Sequence, residues 1–127
     1  MASIMRPTVL FAFAASLLAQ PSYYLVLQKG ASSLGWYKPD GKLETSVAVG
    51  QHPHEMVFSK DGRLLYTTDN GTMRIEHAGS GGNTISIIDL ANKKRIAQIS
   101  TGEFRRPHGI DLDPATGHLA VTTELPD

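Results

Sequence analysis

The sequence predicts an all-β chain, a β-propeller built of four-stranded antiparallel blades and incomplete, with about two and a quarter blades in 127 residues. Three observations predict it. The first is an internal repeat. PHEMVFSKDGRLLYTTD (53–69) lies over PHGIDLDPATGHLAVTTE (107–124), the second copy carrying one more residue in its turn. SLGWYKPDGKLETSVAVG (33–50) lies over ISIIDLANKKRIAQISTG (85–102) without a gap. A period of this length marks stacked structural units rather than one closed core. The second observation is the spacing of turns. Pro39-Asp40-Gly41, Asp61-Gly62, Ala91-Asn92-Lys93 and Ala115-Thr116-Gly117 punctuate runs of β-branched and aromatic residues. The third is that the strands are apolar on both faces. Ile85 and Ile87 oppose Ile88, and Leu64 and Tyr66 oppose Leu65. A sheet with one wet side alternates instead, so these sheets expect a neighbour on each side.

The elements follow in order. Residues 1–19, with Arg6 ahead of an apolar run from Thr8 to Ala19, read as a secretory signal peptide. The run is too short to span a bilayer, so no transmembrane span is expected in the mature chain. Nine strands follow, near 24–29, 33–38, 43–49, 54–59, 63–69, 84–90, 94–100, 107–113 and 118–124. With blade strands labelled A to D from the axis outward, the partial propeller over 20–127 divides into three segments. Residues 23–50 hold strands B-C-D, 51–102 a complete blade, and 103–127 the start of the next.

Composition excludes several functions. Lys plus Arg and Asp plus Glu are both 12, so no basic stripe exists for nucleic acid. The chain has no cysteine, which excludes disulfides, thiolate metal sites and a cysteine nucleophile. There is no G-x-S-x-G elbow.

The P-H-x…D-G-x-x-L-Y-x-T pattern, followed by a strand such as TISIIDL (84–90), resembles the bacterial YVTN-type β-propeller repeat. The local unit reads LYTTD at 65–69, AVTTE at 120–124 and YLVLQ at 24–28. The resemblance implies a lactonase-like, surface or periplasmic protein, with small ligands held at the mouth of the central channel. It also implies a ring of more blades than are present, so the chain reads as an N-terminal fragment. Exposed blade faces then favour self-association.

Antiparallel order gathers one set of connections on one rim: 30–32, 50–53, 102–107 and the long insertion 70–83. His52, His54, His77 and His108 fall on or beside it, and His118 falls on the opposite rim. His54 and His108 head two A strands and should approach the axis. Three readings follow. The histidines pack structurally between blades. Alternatively His54 and His108, with His52 and His77 as further candidates, ligate a divalent metal such as Zn, Cu or Ca. Or His54 and His108, with Glu55 or Glu124 as acidic partner, perform lactonase-like hydrolysis. The expected function is an exported scaffold that binds a small molecule or protein through this rim and the 70–83 insertion; the alternative is a hydrolase or metal-binding redox propeller. Arg105-Arg106 reads as a solvated pair, and Gly79-Ser80-Gly81-Gly82 as a flexible loop rather than a phosphate cradle. Asn70-Gly71-Thr72 is a glycosylation sequon, and Trp36 is expected to pack between blades.

Overall fold

The computed structural model describes residues 22–126. The signal-peptide segment 1–19 lies outside them. The described residues hold nine strands and no helix: β1 (Tyr24–Gln28), β2 (Ser33–Tyr37), β3 (Leu43–Ala48), β4 (Pro53–Phe58), β5 (Leu64–Asp69), β6 (Thr84–Asp89), β7 (Lys94–Ser100), β8 (Arg105–Leu112) and β9 (Leu119–Leu125). Among the described residues no helix is therefore long and apolar enough to cross a membrane.

All pairings are antiparallel between chain neighbours, giving sheets β1-β2-β3, β4-β5-β6-β7 and β8-β9. The contacts between sheets show how they stack. β4 touches β1 on one side and β8 on the other, while β3 touches β7. First-strand edges thus meet each other and last-strand edges meet each other, as blades fanned about an axis do. The sheets do not close into a ring.

Stacking explains the two-faced pattern. Leu65 pairs with Ile88 across β5 and β6. Both are fully buried, in one cluster with Leu34, Trp36 and Val49 of the first sheet. Trp36 therefore packs between blades, as expected. Burial of such aliphatic side chains stabilises the stack by about 1.5–3 kcal/mol each. The opposite face of the same strands carries Tyr66, Thr68 and Ile85.

The hairpin registers correct the alignment drawn from sequence. Phe58 pairs with Leu65, and Leu112 with Leu119. The two turns are equal in length, closed by Ser59 N–H to Leu64 C=O and Asp113 N–H to His118 C=O. The second copy therefore has no extra residue. Thr68 corresponds to Thr122 and Asn70 to Glu124, not Asp69 to Glu124. The Thr-Thr-acid likeness of LYTTD and AVTTE had pulled the alignment over by one; backbone pairing decides otherwise.

Asp69 ties two sheets together from a buried position. Its carboxylate accepts hydrogen bonds from Gly50 N–H at 3.0 Å, Thr84 Oγ1 at 2.7 Å and Ser86 Oγ at 2.9 Å. A Cβ on Gly50 would lie 2.1 Å from Asp69 Cγ, so only glycine lets the chain pass there. Burial pushes the Asp69 carboxyl above its ordinary 3.8, and the donors, Thr84 first, offset only part of that. The folded chain thus holds this proton more tightly than the unfolded chain. The stabilising contribution is complete below the ordinary aspartate value and is lost as pH rises through the folded value. Urea midpoints across this acid range should show Asp69→Asn with a flatter decline than the wild type; an unchanged slope would contradict the assignment.

Candidate functional site

The two copies of x-Pro-His begin β4 and β8 in the same way. Pro53 and Pro107 are fully buried. The residues before them, His52 and Arg106, have positive φ of 47° and 52°. Such backbone costs on the order of 1–3 kcal/mol and persists where surroundings fix it. Here the side chains do so by reaching back to the preceding sheet. His52 Nδ1 donates to the Lys29 carbonyl at 3.1 Å, and Ser32 Oγ accepts from its N–H. Arg106 donates to the carbonyls of Ile75, His77 and Gly79.

Each strand then bulges. The register of β4 against β5 slips between Pro53 and Met56, and that of β8 against β9 between Pro107 and Ile110. His54-Glu55 and His108-Gly109 occupy these bulges, which re-aim side chains out of the regular pleat. A threonine hydroxyl serves the free backbone donor in each. Thr68 Oγ1 accepts from Glu55 N–H at 3.0 Å, and Thr122 Oγ1 from Gly109 N–H at 2.9 Å. Thr68 Oγ1 also donates to the His108 carbonyl at 2.8 Å, linking one bulge to the next.

This brings His54, His108 and Glu55 together. The imidazole centroids are 3.7 Å apart with planes tilted by 36°. Glu55 Oε1 lies 4.0 Å from His54 Nδ1 and 3.8 Å from His108 Nδ1. Gly109 lies beside that carboxylate and close to Thr122: a Cβ there would stand in ordinary contact with Glu55 Oε2, at 3.8 Å, and tightly against Thr122 Oγ1, at 3.0 Å. The side chains of His54, His108 and Glu55 are 28%, 41% and 48% exposed, so the cluster opens to solvent. His54 Nδ1 itself is buried, with no hydrogen-bond partner among the described residues. Burial, then the neighbouring His108 and Lys29, hold the His54 imidazole below its usual value, so it is neutral at pH 7.

The remaining candidates sit elsewhere. His52 is bound to the Lys29 carbonyl, and His77 is exposed on the insertion with its carbonyl held by Arg106. His118 is exposed in the turn before β9. Glu124 is occupied by Arg106, at 3.4 Å, and by Asn70 Nδ2, at 3.2 Å.

One sequence expectation needs correction. Arg106 is not solvated: it is 8% exposed and clamps the 70–83 insertion. The glycines of that insertion serve close approach. A Cβ on Gly82 would fall 2.1 Å from the Asp69 carbonyl oxygen, and one on Gly71 1.9 Å from Gly82 N. The base of the loop is thus closely packed, while Gly79 nearer its tip meets nothing within 4 Å. Asn70 of the sequon is buried, its side chain bonded to Thr72 and Glu124. Thr68, Thr122 and Gly109 were not anticipated; the repeated Thr-Thr pair was the available signal for the first two.

No protein-family model and no curated protein matches the chain significantly. Two solved structures are similar in fold. Hydrazine synthase of Kuenenia stuttgartiensis matches with TM-score 0.64 and 21% identity, over 80% of this chain and 26% of that one. A functionally unknown protein from Desulfotomaculum acetoxidans DSM 771 matches with TM-score 0.60 and 19% identity, over 80% of this chain and 31% of that one. The chain spans less than a third of either, and at these identities the likeness is one of fold.

The Arg106 clamp has a measurable consequence. Arg106→Met keeps the aliphatic stem but removes the three side-chain hydrogen bonds to the carbonyls of Ile75, His77 and Gly79. Amide exchange and proteolysis within 73–81 should accelerate while the strands stay protected; unchanged rates there would show that the loop holds itself.

Proposed function

We propose that this chain is an exported β-propeller scaffold of the YVTN-repeat type that binds a small molecule or protein ligand. The binding face is the rim that carries His54, His108 and Glu55 together with the 70–83 insertion. One observation carries the reading. Consecutive first strands present two half-exposed imidazoles in ring contact at 3.7 Å, with an acid 3.8–4.0 Å from both. Polar groups converging on a rigid scaffold are the usual make-up of a ligand site. Packing between blades needs no acid beside two imidazoles. Export rests on the apolar leader at 8–19 behind Arg6. Exposed Tyr24, Val26, Ile96, Ile99 and Phe104 favour association through the outer sheet surfaces.

The same geometry favours a second reading, lactonase-like hydrolysis. Glu55 stands close enough to either imidazole to pass a proton through one bridging water.

A panel of small polar fragments, titrated into the tag-free chain and followed by amide and imidazole NMR shifts, tests the first reading. Shifts should cluster at His54, Glu55 and His108 and vanish in His54→Ala and His108→Ala. Shifts scattered over the surface, or untouched by both substitutions, would overturn it. For the second reading, a lactone panel should show turnover that both substitutions abolish; turnover equal to wild type in both would exclude these residues.

A further inference from the structure

We infer that His54, His108 and Glu55 are a three-ligand site for a divalent transition-metal ion of the zinc class. This rests on the ligand-site reading above and names the chemistry of its occupant.

The first argument is spacing. One ligand atom from each of the three residues lies within 4.8 Å of the other two. Yet neither imidazole hydrogen-bonds the acid, the Nδ1 to Oε1 separations being 4.0 and 3.8 Å. These gaps are too long for direct bonds. They exceed by only a little the ~3.4 Å between neighbouring ligands on a tetrahedral ion with 2.0–2.1 Å bonds. Rotation about each side chain, which also turns the stacked rings apart, brings them onto a shared ion. His54 Nδ1, buried without a partner among the described residues, gains in the ion the partner it otherwise lacks.

The second argument is the departure from the repeat. The histidine recurs in both copies, so its presence alone is explained by repetition. The acid does not recur. Glu55 stands where the next copy has Gly109, so the second copy puts no side chain at that position, which adjoins the Glu55 carboxylate. An acid in one copy opposite a vacated position in the next makes a composite site that neither copy has alone.

The third argument is rigidity and access. The backbones of His108 and Glu55 are tied by one hydroxyl, that of Thr68, so the ligand-bearing bulges cannot drift apart. The His108 and Glu55 side chains remain 41% and 48% exposed, which leaves the ion a path in from their side and an open position for water or ligand. Two imidazoles and one carboxylate suit Zn²⁺ and its neighbours in the series, with Cu²⁺ bound most tightly. Ca²⁺ takes six to eight oxygen ligands and does not fit this set.

The test uses the tag-free full chain, stripped by chelator and titrated with Co²⁺. Calorimetry follows binding, visible absorption reports coordination, and Zn²⁺ is the competitor. One equivalent should bind, Zn²⁺ should displace it, and the ring resonances of His54 and His108 should be the ones affected. His108→Ala and Glu55→Gln should each weaken binding by more than the roughly 10–100-fold typical of an outer-shell partner. His118→Ala should bind as wild type. Glu55 is exposed, so Glu55→Gln keeps the test open if His108→Ala fails to fold. No saturable binding of Co²⁺ or Zn²⁺, or binding unmoved by Glu55→Gln, overturns the proposal. Fragment shifts at these residues without metal binding overturn the metal alone; absence of both overturns the ligand site as well.

Discussion

The Thr68 hydroxyl is the contact on which the candidate site depends. It accepts the Glu55 N–H that the bulge in β4 leaves without a strand partner, and donates to the His108 carbonyl of the next sheet. A single side chain thereby satisfies a backbone donor in one blade and an acceptor in another. Unpaired, either backbone group would cost about 1–3 kcal/mol on burial. Sheet stacking and site geometry are thus set by the same atom. The imidazoles meet because their backbones are held in fixed relation, not because the rings attract one another.

Around this contact the chain repeats one device with different residues. The position before each proline takes a left-handed backbone and sends its side chain to the preceding sheet: His52 to one carbonyl, Arg106 to three. The length of the loop being held sets the difference. A short turn at Lys29 needs a single donor, whereas the 70–83 insertion needs a planar fork able to reach several carbonyls at once. Asp69 plays a comparable part from within the sheet, fixing Gly50 at the junction of the first and second sheets. Each device joins neighbours, as expected of an architecture in which a unit cannot bury both faces alone.

Much of the fold was legible in the sequence because its signals are periodic. Turn residues and two-faced apolar strands placed all nine strands within two residues of their bounds. The approach of His54 and His108 was legible too, since a motif written twice must lie at equivalent places in adjacent units. The hairpin register was not, because Thr-Thr-Asp and Thr-Thr-Glu align chemically while backbone pairing offsets them by one. The burial of Arg106 was hidden because a charged pair in a loop looks the same whether water or backbone carbonyls surround it. Glu55 was named only as a possible partner; its joint proximity to both imidazoles follows from the bulge in β4, which no periodicity encodes.

The central claim is that bulges in consecutive first strands hold the two imidazoles in contact. A two-dimensional NOE spectrum of the tag-free chain, with His54 and His108 ring protons assigned, tests it most directly. At a centroid separation of 3.7 Å the account predicts strong ring-to-ring cross-peaks, and their loss when Thr68 is replaced by valine. Assigned rings with no cross-peak between them in the wild-type chain would contradict the stacking and the site built on it.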